Sequence, residues 1–288
     1  METVRLSGEA IEAVVLPEVG ARLHRLRVFG HDLLRMPGDV DEHLRDPFFW
    51  GSFVMAPWCN RIAAGELLLG SRRVVPGSNF ADGSAIHGQV YARPWERDAD
   101  GTLWAVGGGD GWPWVYVVSQ RIELRDRLLR LRLSLVNRST DAMPAGLGIH
   151  PWFRRPVQVA IRGAAVHASN EATEPRPVAV HDQFDLREIG EMPPDLDATW
   201  TDLAEPPVEL RWPAVGLRAV MRISAPQTVH VVGASPGNLD AIAVEPQTHA
   251  PQGLRRLVNG EPGALAWLEP GAALGLTVEL AFDRFRPA

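Results

Sequence analysis

Leucines at positions 129, 131, 133 and 135 alternate with Arg130, Arg132 and Ser134. A period of two sends successive side chains to opposite faces of an extended chain, so this stretch reads as a strand with one apolar and one solvated face. The alternation returns at Leu274, Leu276, Val278, Leu280 and Phe282, and shorter apolar runs lie at Ile11–Leu16, 23–28, 115–118, 229–232 and 241–244. Turn signals separate them, among them Ser7-Gly8, Gly30-His31-Asp32, Asp82-Gly83 and Asn137-Arg138-Ser139. No stretch carries a helical stripe over three turns, and 27 Gly and 24 Pro are spread throughout. Many short strands punctuated in this way predict an all-β, antiparallel sandwich or barrel. No linker cuts the chain, so residues 1–288 are expected to form a single large domain. Pro-rich stretches at 174–177, 192–194 and 205–207 are expected to be long surface loops.

Composition narrows the function classes. Hydrophobic residues make up 45% of the chain and charged residues 22%, which supports a packed core and excludes disorder over most of its length. The formal net charge is -6, the opposite of what a nucleic-acid binder needs. All 29 basic residues are Arg, so Schiff-base chemistry through a lysine amine is excluded. Cys59 is the one cysteine, so no intrachain disulfide forms. The start, Met1-Glu2-Thr3-Val4-Arg5, lacks the basic region and apolar run of a signal peptide, and no apolar stretch is long enough to span a bilayer. A soluble, cytoplasmic protein with no nucleic-acid or membrane partner is expected.

Four blocks carry acid–base or hydrogen-bonding side chains beside Gly or Pro. The first is Pro57-Trp58-Cys59-Asn60-Arg61-Ile62, followed by Gly65 and Gly70; an Arg there offers a fork of donors. The second is Ile86-His87-Gly88, with Trp95 beyond it. The third is Gly148-Ile149-His150-Pro151-Trp152-Phe153, where Pro151 holds His150 extended. The fourth is Val244-Glu245-Pro246-Gln247-Thr248, in which a carboxylate follows four apolar residues and, if buried, must be paired or hydrogen-bonded. Taken singly, each of these side chains is more often structural than functional.

Together and in this order the blocks resemble the aldose 1-epimerase (galactose mutarotase) family. Asn60-Arg61-Ile62 is similar to its Asn-Arg-Ile hairpin, His87-Gly88 to its His-Gly segment, Gly148–Phe153 to its Gly-x-His-Pro-[Tyr/Phe]-Phe strand, and Glu245–Thr248 to its Glu-Pro-x-Thr block. Trp152 departs from the usual Tyr, and Gln89-Val90-Tyr91 is not the commonest continuation after His-Gly. The resemblance implies a β-supersandwich with a sugar cleft, and an isomerase that needs no cofactor and no metal. It implies Glu245 as general base, His150 as general acid, His87 as a partner at the ring oxygen, and Arg61 as a donor to sugar hydroxyls. A further carboxylate that binds hydroxyls maps to Asp197, with Asp195 two residues away. Asn60 and Trp152 join the substrate-binding set, and Trp58 and Trp200 are the other Trp candidates for the pocket.

Anomer exchange requires the anomeric hydroxyl to lose a proton while the ring oxygen gains one. An ordinary Glu, near ~4.3, is ready to accept a proton at neutral pH, and an ordinary His, near ~6.5, needs only a modest rise beside a carboxylate to donate one. The expected partner is a small aldose, and the expected assembly a monomer or homodimer. Three alternatives stay open. A hexose-6-phosphate epimerase of the same fold would draw a cationic clamp from Arg72-Arg73, Arg154-Arg155 or Arg255-Arg256. A non-catalytic sugar-binding protein would not need the two His and the Glu. A metal hydrolase would use His87, His150 and Glu245 as ligands.

Overall fold

The computed structural model describes residues 2–63, 65, 67–169 and 176–286. Residues 174 and 175 of the first Pro-rich stretch therefore lie outside the described residues. Among the described residues, seventeen strands join in one antiparallel sheet, with three two-stranded pairs beside it. The leucines at 129, 131, 133 and 135 lie in the strand Leu128–Asn137 and are at most 4% exposed, while Arg130, Arg132 and Ser134 point away. Each fully buried Leu stabilises the fold by about 1.5–3 kcal/mol. This strand pairs on one edge with Trp112–Arg125 and on the other with Ala273–Arg284, which carries the second alternating run.

A sheet this wide twists and folds over on itself. The corner is the strand Asp197–Trp212. Its first half pairs with His230–Ala234 and its second half with Leu217–Ser224. On its other edge it follows Gln158–His167, with a register shift between Ile161 and Gly163. That shift accommodates Glu205-Pro206-Pro207, which lies within the strand and not in the expected surface loop. Proline lacks an N–H for the ladder, and a bulge is where a sheet tolerates one. The two halves share one contiguous core that includes Val15, Leu26, Trp114, Leu133 and Leu276.

One half of the sheet matters most for function. Ser52–Met55, Gly148–Arg154, Ala241–Gln247 and His230–Ala234 are neighbours in that order, and Asp197–Trp212 follows. Along them, Val54, Ile149, Phe153, Ile242, Val244, Val231 and Trp200 point into the shared core. Period two therefore sends Phe53, His150, Trp152, Glu245, Val232 and Asp197 to the opposite face. Among the described residues, the α-helices are Glu42–Arg45 and Gly253–Asn259, and no helix is long and apolar enough to cross a membrane.

Candidate active site

Two adjacent rungs of this ladder form the floor of a cleft of about 270 Å³. In the first, Phe53 pairs with His150, the register sets His150 opposite Glu245, and Glu245 pairs with Val232. In the second, Trp152 pairs with Ala243, Ala243 with Ala234, and Ala234 with Asp197. His150 Nε2 lies 3.2 Å from Glu245 Oε1, and both side chains are almost fully buried. The His150 ring is held from two sides, stacked on Phe53 at 4.6 Å and against Trp152 at 5.0 Å.

His87 reaches the same point from a different element. The short strands Arg61–Ile62 and Ala85–Ile86 pair, and at one end of the pair both strands turn sharply: Asn60 and His87 both have left-handed backbones, φ 57° and 59°. The two residues clasp each other. His87 N–H donates to the Asn60 carbonyl at 3.1 Å, and Asn60 N–H donates to His87 Nδ1 at 3.2 Å. Since Nδ1 accepts, the neutral ring carries its proton on Nε2. The His87 and His150 rings meet edge to face at 4.9 Å. The glycine after His87 is obligatory here: at φ +77° a Cβ on Gly88 would sit 1.9 Å from the Ala56 carbonyl oxygen. Gly88→Ala is accordingly expected to cost about 2–4 kcal/mol, read as a lowered midpoint in chemical denaturation. Wild-type stability in that variant would contradict this backbone geometry.

The other chain crossings in the motifs are equally local. A Cβ on Gly148 would meet Cys59 Sγ and Met55 Cε, each at 2.7 Å. Thr248 binds Leu147 twice, its N–H donating to the Leu147 carbonyl and its hydroxyl accepting the Leu147 N–H, both at 2.9 Å. The Glu-Pro-Gln-Thr block is thereby tied to the strand that carries His150.

Arg61 lines the cleft, with its Nε donating to Asp82 Oδ2 at 2.9 Å and its guanidinium 5.3 Å from the Phe80 ring centroid. Asp195 and Asp197 both line it as well. They differ in setting: the Asp195 carboxylate accepts the Gly237 N–H at 2.9 Å, whereas Asp197 begins a strand. Trp152 is part of the wall. Trp58 and Trp200 are not, contrary to expectation. Trp200 is an odd number of residues from Asp197 on one strand, so it faces the core, where its Nε1–H bonds the Phe184 carbonyl. Trp58 packs on Trp112 at 5.0 Å, also in the core.

Burial controls the electrostatics. Removal from water pushes the Glu245 carboxyl well above the usual range; Asp197 adds to the rise and Arg61 opposes it. Burial likewise pushes His150 down, Arg22 adds to the fall, and the ring's own backbone contact opposes it. His87 is driven down by burial, then by His150 and Arg61. The expected rise of His150 beside a carboxylate is therefore reversed, because complete burial outweighs one neighbour. Both shifts favour the neutral forms, a carboxyl beside an imidazole that together hold one proton, and the carboxylate–imidazolium arrangement is one proton transfer away across the 3.2 Å contact.

Sequence reasoning missed the lining at Leu196, Val232, Ala234 and Pro236 and, beside it, the aromatic wall of Phe48, Phe49 and Phe80. The signal was present in Pro47-Phe48-Phe49-Trp50-Gly51, three aromatics between two turn residues, where a loop rather than a core is expected. Among the described residues, no three His, Cys, Asp or Glu side chains are grouped as metal ligands.

The fold has counterparts among known proteins. A galactose mutarotase-like protein from Clostridium acetobutylicum superposes with a TM-score of 0.84 at 18% identity, covering 98% of this chain and 95% of that one. The galactose 1-epimerase from Lactobacillus acidophilus NCFM gives 0.79 at 16% identity, covering 99% and 95%. Protein YphB of Escherichia coli (strain K12) is 23% identical over 227 residues, 74% of this chain and 78% of YphB. The sequence model for aldose 1-epimerase matches residues 2–248, a span that holds every residue of the cleft, and the chain belongs to the aldose 1-epimerase family.

Proposed function

We propose that the protein is an aldose 1-epimerase that interconverts the α and β anomers of a free aldohexose. The observation that carries this reading is the buried His150–Glu245 pair, 3.2 Å apart on the cleft floor. In its carboxylate–imidazolium arrangement, Glu245 removes the proton of the anomeric hydroxyl while His150 Nε2–H protonates the ring oxygen. The ring C–O bond breaks and the anomeric carbon becomes a carbonyl. Rotation about the C1–C2 bond presents the other carbonyl face, and the two transfers run backwards to close the ring. The pair regains its starting protonation, so no external proton is consumed. Each positioned acid or base is worth about 10²–10⁴-fold.

His87, neutral with its proton on Nε2, donates a hydrogen bond toward the ring oxygen and does not itself transfer a proton. Arg61 and Asp197 hold the sugar hydroxyls, Asn60 fixes His87 through its backbone, and Trp152 packs against the C–H face of the sugar. The cavity of about 270 Å³ suits one sugar ring.

Charge favours a neutral sugar over a sugar phosphate. The wall carries the carboxylates of Asp195 and Asp197 against the single guanidinium of Arg61, which is already paired with Asp82, and the His150–Glu245 pair adds no net charge. None of the three Arg pairs considered for a clamp lines the cleft. Arg72 pairs with Asp141, Arg155 donates to Ser235, Arg255 pairs with Glu261, and Arg256 is buried on the carbonyls of Pro251 and Pro262. Polarimetry or NMR of freshly dissolved α-glucose and α-galactose is expected to show equilibration far faster than the buffer control, and the 6-phosphates little or no acceleration. Buffer-level exchange across an aldose panel would sink the catalytic reading and leave a sugar-binding protein. Faster turnover of the 6-phosphates would overturn the neutral-substrate assignment.

A further inference from the structure

A second charged group lies behind the cleft, on the far side of Phe53. Arg22 is fully buried, and its guanidinium lies 4.7 Å from the Phe53 ring centroid, while Phe53 stacks on His150. Its hydrogen bonds go to backbone carbonyls: Nη1 donates to Trp50 at 2.7 Å, and Nη2 to Pro47 at 2.6 Å and Tyr91 at 3.2 Å. Pro47 and Trp50 flank Phe48 and Phe49, the aromatic wall. The carbonyls between them are held too, Phe48 by Trp152 Nε1–H at 2.7 Å and Phe49 by Arg35 Nη1–H at 2.7 Å. Four consecutive carbonyls of a loop thus receive side-chain donors, two of them from Arg22.

Resting on the catalytic reading above, we propose that Arg22 is a positioning residue of the active site, holding the Phe48–Phe49 wall by the flanking carbonyls of Pro47 and Trp50 and, through Phe53, the seat of the His150 ring. The usual reason for burying an Arg is a bonded carboxylate, whereas these three bonds go to carbonyls and Asp46 acts only at longer range. A guanidinium is suited to this because its rigid fork spans several acceptors, which the single point of an ammonium does not. Burial lowers the Arg22 pKa to about 9, and Asp46 and Tyr91 oppose the fall, so it remains charged at neutral pH. Its positive field reaches His150 across the aromatic ring and favours the neutral imidazole. The groups facing His150 are thus Glu245, His87 and, behind Phe53, Arg22; those facing Arg22 are Asp46, Tyr91, His24 and His43.

Two variants separate wall from charge. Arg22→Lys keeps the charge and loses the fork; Arg22→Met loses both. The readouts are the affinity for methyl galactoside and methyl glucoside, which bind but have no free anomeric hydroxyl, the His150 ring titration by NMR, and the kinetics of anomer exchange. Arg22→Lys is expected to weaken glycoside binding and raise KM about 10-fold, with kcat and the His150 titration near wild type. Arg22→Met is expected to weaken binding similarly and also to move the His150 titration, and with it the acidic limb of kcat, up by about one pH unit. Wild-type binding and titration in Arg22→Met overturn the proposal. Loss of fold in both variants also overturns it, by making Arg22 a framework residue. If the wild type exchanges no aldose, the catalytic reading fails, and the His150 titration still decides whether Arg22 acts on that ring.

Discussion

Glu245→Gln is expected to lower the rate of anomer exchange by about 10²–10⁴-fold with little change in the unfolding midpoint. Glutamine matches the carboxyl in shape and keeps a hydrogen-bonding contact with His150, but it cannot accept the proton of the anomeric hydroxyl. The stability half of this prediction follows from the environment. Burial and Asp197 already push the Glu245 carboxyl toward its neutral form, so a neutral amide imposes no new desolvation cost. A conservative variant of a buried carboxylate that was charged and ion-paired would instead be expected to lose several kcal/mol. Exchange is best read by NMR at chemical equilibrium, where the two anomers of one sugar interconvert without net conversion. Activity within a few fold of wild type would remove Glu245 from the role of base and leave His150 without its partner.

The architecture was legible because alternation is a local property. Leu129–Leu135 announces which face of its strand is buried, and the same period two on Gly148–Arg154 separates Ile149 and Phe153 from His150 and Trp152. Parity of this kind also shows that Trp200 and Asp197 cannot share a face, a conclusion that follows from their spacing on one strand. What sequence does not hold is register between strands far apart in the chain. That His150 stands opposite Glu245 depends on pairing residues 148–154 with 241–247, and only the folded sheet sets it. Neither was Arg22 legible. An Arg in a half-polar strand reads as solvated, and its burial comes from the loop at residues 47–50 closing over it. The direction of the His150 shift failed for a related reason: sequence shows the neighbouring carboxylate but not the exclusion of water.

Lowering the pH from 6 to 5 is expected to remove about 5 kcal/mol of folding stability, through histidines that the native state holds neutral. His43, His87, His230 and His249 are all at most 6% exposed, and in each, burial is the largest cause of a lowered pKa. The lowered values are about 3 for His43 and His230 and about 4 for His249. An unfolded chain protonates its histidines as pH falls through about 6.5, while these four stay unprotonated in the native state. The unfolded state then binds more protons, so stability falls as pH falls, by about 1.4 kcal/mol per pH unit for each group. The His150–Glu245 unit adds nothing in this window. It holds one proton when folded, and the unfolded pair near pH 5.5 also holds about one, on the imidazole. Carboxylates such as Asp82, whose pKa is lowered to about 2, respond only at lower pH. Against a typical total of about 5–15 kcal/mol, a loss of this size places acid unfolding between about pH 4 and 5. Urea denaturation at pH 7, 6 and 5 measures it directly. A stability that stays level from pH 7 to 5 would mean that these rings take up protons without unfolding, and that water reaches His230 and His249 in the native state.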